Sequence, residues 1–104
     1  MLLSNLEFLP DRTIKRHLGL VQGSSVRSKH VGRDIGASLK SIFGGELKGY
    51  TELLHDSREE ATARLVEQAR SLGANAILNI RYSTSSIAAG AAEIFVYGSA
   101  VELE

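Results

Sequence analysis

The chain has 104 residues, a usual length for one domain, and it contains no cysteine. It therefore holds neither disulfides nor thiolate metal ligands, which suits a reducing cytoplasm. Twelve basic residues balance twelve acidic ones, so net charge gives no indication of nucleic-acid binding. Residues 87–101 form the most apolar stretch, too short for a membrane span of about 20 residues. Met1, Leu2 and Leu3 are not followed by an apolar run, so we expect no signal peptide. We predict one cytoplasmic domain, residues 1–104.

The N-terminal third is predicted to be an arm followed by a strand. Residues 1–11 form the arm, and residues 13–26 alternate between apolar and polar side chains as a strand does. Gly19 and Gly23 indicate a bulge or bend within it. Val21 is assigned to one face of this strand. The other face is predicted to carry Ile14, Leu18 and Leu20.

Two helices are predicted in the middle of the chain. In residues 31–43 and again in 50–72, apolar residues recur every three or four positions, the spacing of an amphipathic helix. Glu60 and Arg64 are spaced to form an ion pair along the second helix. Gly73 follows its last apolar residue and is predicted to be its C-terminal cap.

Two further strands and a connecting loop complete the predicted α+β domain. The strands are 74–82 and 93–101, and the Ser/Thr-rich residues 83–90 are predicted to form the loop between them. The last strand is apolar on both faces, whereas a sheet packed on helices from one side has one wet face. Its second face must therefore be covered, either by another subunit or by residues 2–9 of the arm.

The chain carries no motif of a known catalytic site. It lacks the dinucleotide-binding, P-loop and zinc-protease patterns and the serine elbow of hydrolases. Its three histidines, His17, His30 and His55, are not at metal-ligand spacing. We therefore predict no catalytic residue, no cofactor and no metal ligand, and an enzyme ranks last among the functional hypotheses.

Basic residues are concentrated near the N-terminus, with six up to residue 33 against two acidic ones. They form either a solvated strand face or a patch that binds an anion. Lys29, Arg33 and Asp34 lie at the start of the first predicted helix, where free N–H groups attract anions. The alternative there is a helix start with a structural ion pair. Tyr50, beside a glycine-rich turn, is a further candidate.

Five segments together resemble the YbjQ-like family of small bacterial proteins. They are Val26–Ile35, Gly44–Leu54, Leu72–Ile77, Gly90–Ile94 and Tyr97–Val101. The resemblance implies a dodecin-like subunit, in which two helices pack on one face of a three-stranded antiparallel sheet. It also implies a ring-like homo-oligomer, a pentamer.

The resemblance also brings a heavy-metal-binding label, although soft metals favour sulfur ligands that this chain lacks. Our first hypothesis is a homo-oligomeric binding or structural module. It would recognise a small anionic or polar ligand at subunit interfaces through Lys29, Arg33, Asp34 and Tyr50. The alternative is a metal storage or sensing protein. The expected partner is the protein itself, with no nucleic acid and no membrane.

Overall fold

The structure is a computed structural model, and it describes residues 1–28, 48–88 and 90–104, apart from the side chains of Lys48 and Tyr50. The described elements are, in chain order, β1 (Leu2–Leu3), β2 (Ile14–Ser28), α1 (Lys48–Ser71), β3 (Ala76–Ala88) and β4 (Ala91–Leu103). The α+β class is as predicted.

The strands form one mixed sheet in the order β1-β3-β4-β2. β4 is central and pairs antiparallel with β2 and β3, whereas β1 pairs parallel with β3 through Leu2 and Leu3. The Leu2 N–H donates to Asn75 O and the Ser4 N–H to Ile77 O. The arm thus forms hydrogen bonds with backbone groups at the edge of β3. The predicted sheet of three antiparallel strands is therefore wrong.

The dodecin-like architecture is therefore a wrong expectation. The expected sheet had three strands, whereas the observed sheet has a fourth, parallel strand that the arm adds. The described residues contain one helix, α1, and not two. The helix predicted over residues 31–43 lies outside the described residues. The second predicted helix is confirmed with slightly shifted ends, and Gly73 follows it with a φ of +85°, as a C-terminal cap requires.

Residues 83–90 are not the predicted loop. β3 continues to Ala88 and pairs with β4 from Ser83 opposite Phe95 to Ala88 opposite Ala91. A run of Ser and Thr is polar enough for a loop, but Thr is also a good strand former when a partner strand supplies the hydrogen bonds. The two strands thus form one long hairpin, and the described part of the chain measures 54 Å in its longest direction.

Apolar residues are buried on both faces of the sheet. The helix face, covered by α1, holds the larger cluster, which includes Val21, Leu65, Ile77, Ile94 and Val96. The opposite side, here called the far face, holds a smaller cluster of Ala76, Leu78, Val101 and Leu103. Leu2 and Leu9 of the arm and Ile14 of β2 pack against this second cluster. The arm is therefore part of the core.

The backbones of the helix and the sheet approach each other closely at Gly23 of β2. A Cβ atom built there would lie against the carbonyl oxygen of Ala61 and 2.7 Å from the backbone nitrogen of Leu65. Only glycine lets the two backbones approach so closely. Among the described residues, no helix is long and apolar enough to cross a membrane.

Candidate functional site

Most of the predicted ligand residues lie outside the described part of the chain. Lys29, Arg33 and Asp34 are among the residues left out, and Tyr50 lies in the first turn of α1 without a described side chain. The anion site predicted at these positions therefore stays a prediction.

The far face of the sheet is divided into a covered and an open half. Side chains two residues apart in β4 share a face, so Phe95, Tyr97 and Ser99 lie on the same side as Val101. The arm covers the sheet at Val101, and the coverage ends before Tyr97, which is 39% exposed. The apolar residues on the far face of β4 are thus explained differently at the two ends of the strand. The arm accounts for one end, and the other end carries apolar residues that remain exposed.

The open half carries four large apolar side chains, which we call the open patch: Leu20, Val26, Phe95 and Tyr97. Leu20 lies opposite Ser99 and is 70% exposed, and Val26 lies opposite Glu93 and is 57% exposed. The rings of Phe95 and Tyr97 are 5.7 Å apart, centre to centre. Exposed apolar residues grouped on one face of a small domain are typical of an interaction surface.

Sequence patterns identified half of the open patch. The apolar outer face of β4 was evident from Phe95 and Tyr97. Leu20 was assigned to the same face as Leu18, but the register shifts between His17 and Gly19, and Gly19 has a φ of +129°. Leu18 and Val21 consequently both pack on the helix side, and Leu20 points to the far face. Glycine within an alternating strand was the one available signal of this bulge.

A cavity of about 300 Å³ lies between the arm and the far face. Its polar lining includes Glu7, His17, Asn79 and Ser99. Asn79 is the one described non-glycine residue with positive φ, at 56°, and its Oδ1 atom is buried without a hydrogen-bond donor in the structure. Because that atom is covered by protein, a molecule entering the cavity does not reach it in this conformation.

Glu60 of α1 organises a polar network where the helix meets β2. Its Oε1 atom accepts from Ser25 Oγ at 2.7 Å, and its Oε2 atom accepts from Arg27 at 2.8 Å. Arg64 lies 3.2 Å from Oε1, which confirms the predicted ion pair along the helix. The Ser25 hydroxyl and the Arg27 guanidinium lower the pKa of Glu60 below its ordinary value of 4.5.

The basic residues near the N-terminus are paired within the chain as far as they are described. Arg16 lies 2.6 Å and Lys15 3.3 Å from the carboxylate of Glu102. Arg12 donates to the main-chain oxygen of Glu104. With Arg27 bound to Glu60, four of the six basic residues up to residue 33 have partners in the protein. These four residues therefore fit a strand face with structural ion pairs better than a patch that binds an anion.

The described histidines do not form a metal site. His17 lies on β2 and His55 on α1, and no three His, Cys, Asp or Glu residues of the described ranges are grouped to hold a metal ion. His30 lies outside those ranges.

Comparison with known proteins assigns the family. A family described as "Putative heavy-metal-binding" matches residues 1–104. A UPF0145 protein of Hahella chejuensis is 65% identical over the full length of both chains. One of Thermus thermophilus is 54% identical, covering all of this chain and 91% of the relative. One of Archaeoglobus fulgidus is 48% identical over 99% of this chain and 95% of the relative.

A solved structure shares the fold. It is a protein of unknown function from Pediococcus pentosaceus, assigned to the DUF74 family, with a TM-score of 0.66 and 17% identity over 100% of this chain and 98% of that chain. The architecture thus defines a small α+β domain found in bacterial and archaeal proteins of uncharacterised function. The chain belongs to the YbjQ-like, UPF0145 family, which confirms the resemblance seen in the sequence.

Proposed function

We propose that this protein is a homo-oligomeric binding module whose copies associate through the open patch. The observation that supports it is the exposure of Leu20 and Val26 beside the Phe95–Tyr97 ring pair. Burying a large apolar side chain stabilises an interface by about 1.5–3 kcal/mol. A few such residues at the centre of a contact supply most of its binding energy.

A second copy of the same chain is the partner that best fits the patch. The formal net charge is zero, so copies do not repel one another as they would at high charge. The four side chains of the patch are uncharged, which suits burial, and Glu93 and Arg81 flank them on the same face with opposite charges. The ring of five copies that the family resemblance implies is the assembly we propose.

The ligand we propose is small and anionic or polar, held at subunit interfaces by Lys29, Arg33, Asp34 and Tyr50. Lys29 directly follows the end of β2, the strand that contributes Leu20 and Val26 to the open patch. A subunit contact at that strand therefore brings a neighbouring chain near the start of this segment. No grouping of the described residues favours the metal hypothesis in the same way.

Native mass spectrometry of untagged protein from its own cells tests the proposal. We expect several copies per particle and a reproducible extra mass if a ligand is retained. Leu20→Glu places a charge in the open patch and should reduce the particle to fewer copies. Leu72→Glu is the matched control, because Leu72 is also an exposed leucine, 44% accessible at the end of α1, but lies outside the patch. A single-copy parent, or a Leu20→Glu variant with the parent's mass, contradicts the proposal.

A further inference from the structure

In the described part of the chain, the second half of the outer edge of β3 has no partner strand. β1 pairs with β3 at Ala76 and Ile77, and the arm's last backbone contacts are with Asn79 and Ile80. From residue 82 to 88, no backbone partner on that side is present among the described residues, and every side chain is exposed. We call residues 82–88 the open edge. An open edge carries a row of free N–H and C=O groups that another strand can pair with.

The opposite edge of the sheet is protected. The outward N–H of Gln22 on β2 donates to Gln68 Oε1 at 2.6 Å, and the carbonyl oxygen of Ser24 accepts from Arg64 at 2.6 Å. Both side chains come from α1, so the helix occupies hydrogen-bonding positions that a further strand would need. The described part of the sheet thus has one blocked edge and one accessible edge.

The composition of the open edge favours pairing. Its sequence is Tyr-Ser-Thr-Ser-Ser-Ile-Ala, without charge and without proline. Proteins usually protect exposed edges with lysine, proline or a covering element. The three described side chains nearest its middle, Thr84, Ser85 and Ser86, carry hydroxyl groups that pair favourably across antiparallel strands.

We infer that the open edge of β3 pairs with the open edge of a second copy of this chain, antiparallel about a twofold axis. In an antiparallel pair, directly opposed residues lie on the same face of the sheet. The twofold axis must therefore pass through a residue and not between two neighbouring residues. Near the middle of the open edge, that residue is Thr84 or Ser85. An axis at Thr84 sets Ser83 opposite Ser85 of the second copy. An axis at Ser85 sets Thr84 opposite Ser86. In either register hydroxyl meets hydroxyl, and Arg81 does not meet its own copy.

This pairing rests on the self-association proposed above and adds a second contact to it. A twofold contact uses the same surface on both copies and therefore doubles any assembly made through the open patch. Rings joined in this way contain an even total number of copies. The two contacts are on different residues, so each can be removed while the other is kept.

A charge exchange at the open edge tests the pairing. Thr84→Lys/Ser86→Lys places lysines opposite one another in either register and on the helix face, opposite Ile94 and Ala92 and away from the open patch. Native mass spectrometry should show half the parent's number of copies. Thr84→Glu/Ser86→Glu should halve it too, and a mixture of the two variants should regain the parent's mass. The control Ala63→Lys/Ser71→Lys adds the same charge on exposed positions of α1 and should keep the parent's mass.

The outcomes separate this contact from the open patch. An odd number of copies in the parent, or parental mass in both charged variants, overturns the edge pairing and leaves the Leu20→Glu result to decide the proposed function. A single-copy parent overturns both. Hydrogen exchange of the parent provides a measurement that needs no variant to fold. Every second amide of residues 82–88 should become protected as concentration rises, and rapid exchange there at high concentration also overturns the pairing.

Discussion

At the scale of single residues, Gly23 shows how one missing side chain sets the distance between helix and sheet. Its φ is not in the left-handed region, so the restriction is steric and comes from Ala61 and Leu65 of α1. We expect Gly23→Ala to lower the free energy of unfolding by about 1–3 kcal/mol, the usual cost of overpacking. Urea denaturation measures it. Ser24→Ala, the next residue, whose side chain lies on the far face, should change stability much less.

The network around Glu60 predicts a pH dependence of stability. Because the folded-state pKa is below the ordinary value of 4.5, the ionised form stabilises the fold above that pH. This contribution is lost as pH falls through the folded-state pKa. Denaturation from pH 6 to about 3 should therefore show a smaller decline in Glu60→Gln than in the parent. Glu67→Gln removes an exposed carboxylate from the same helix and controls for net charge. Equal slopes in the parent and in Glu60→Gln would contradict this role.

At the scale of elements, the arm makes a prediction with a close internal control. Leu2 packs on the far-face cluster, while its neighbour Leu3 is 42% exposed. Leu2→Ala should cost about 1–2 kcal/mol of unfolding free energy, less than a fully buried leucine because Leu2 is half-buried. Leu3→Ala should cost clearly less. Guanidinium denaturation of the two variants decides whether the arm is a core element, and equal losses would argue against it.

The sequence predicted the elements better than it predicted their faces. α1 was evident because its apolar residues repeat over many turns, and both central strands were located. Gly19 indicated the bulge in β2, but its effect on the alternation was not predicted, and the shift between Ile14 and Arg16 and those in β3 were not evident, since one extra residue leaves composition unchanged. Leu18 was therefore grouped with Ile14 and Leu20, although it packs on the helix side with Val21. The arm was difficult for another reason, because β1 is two residues long and forms only against β3.

The candidate site was predictable only in outline. The composition of β4 shows that its second face needs a cover, and the two predicted covers were the arm and another subunit. The arm packs at Val101, whereas Tyr97 is left exposed and available to another subunit. The boundary between them depends on where the arm turns at residues 9–12, where Arg12 N–H donates to Leu9 O. Such a tertiary position is not encoded in local periodicity.

At the scale of the whole molecule, self-association links stability to concentration. If copies separate when the chain unfolds, mass action raises the melting temperature with protein concentration. We expect this rise in the parent and a weaker one in Leu20→Glu. Differential scanning calorimetry over a hundredfold range of concentration measures it. A melting temperature independent of concentration in the parent would mean that folding and association are uncoupled.

The register shift between Leu78 and Arg81 in β3 interrupts the alternation of side chains between the two faces of the sheet. Ile77 and Ile80 are three residues apart and yet pack in the same cluster, because the register shifts between Leu78 and Arg81 around Asn79. The faces of residues 81–86 depend on this one extra residue, and a second register shift follows between Ser86 and Ala88. Loss of Asn79 alone would remove the extra residue and leave a regular strand, with Arg81 still opposite Tyr97 and Tyr82 still hydrogen-bonded to Thr62. Loss of two residues there would turn the following side chains to the opposite face, so this position should tolerate a deletion of one residue better than a deletion of two.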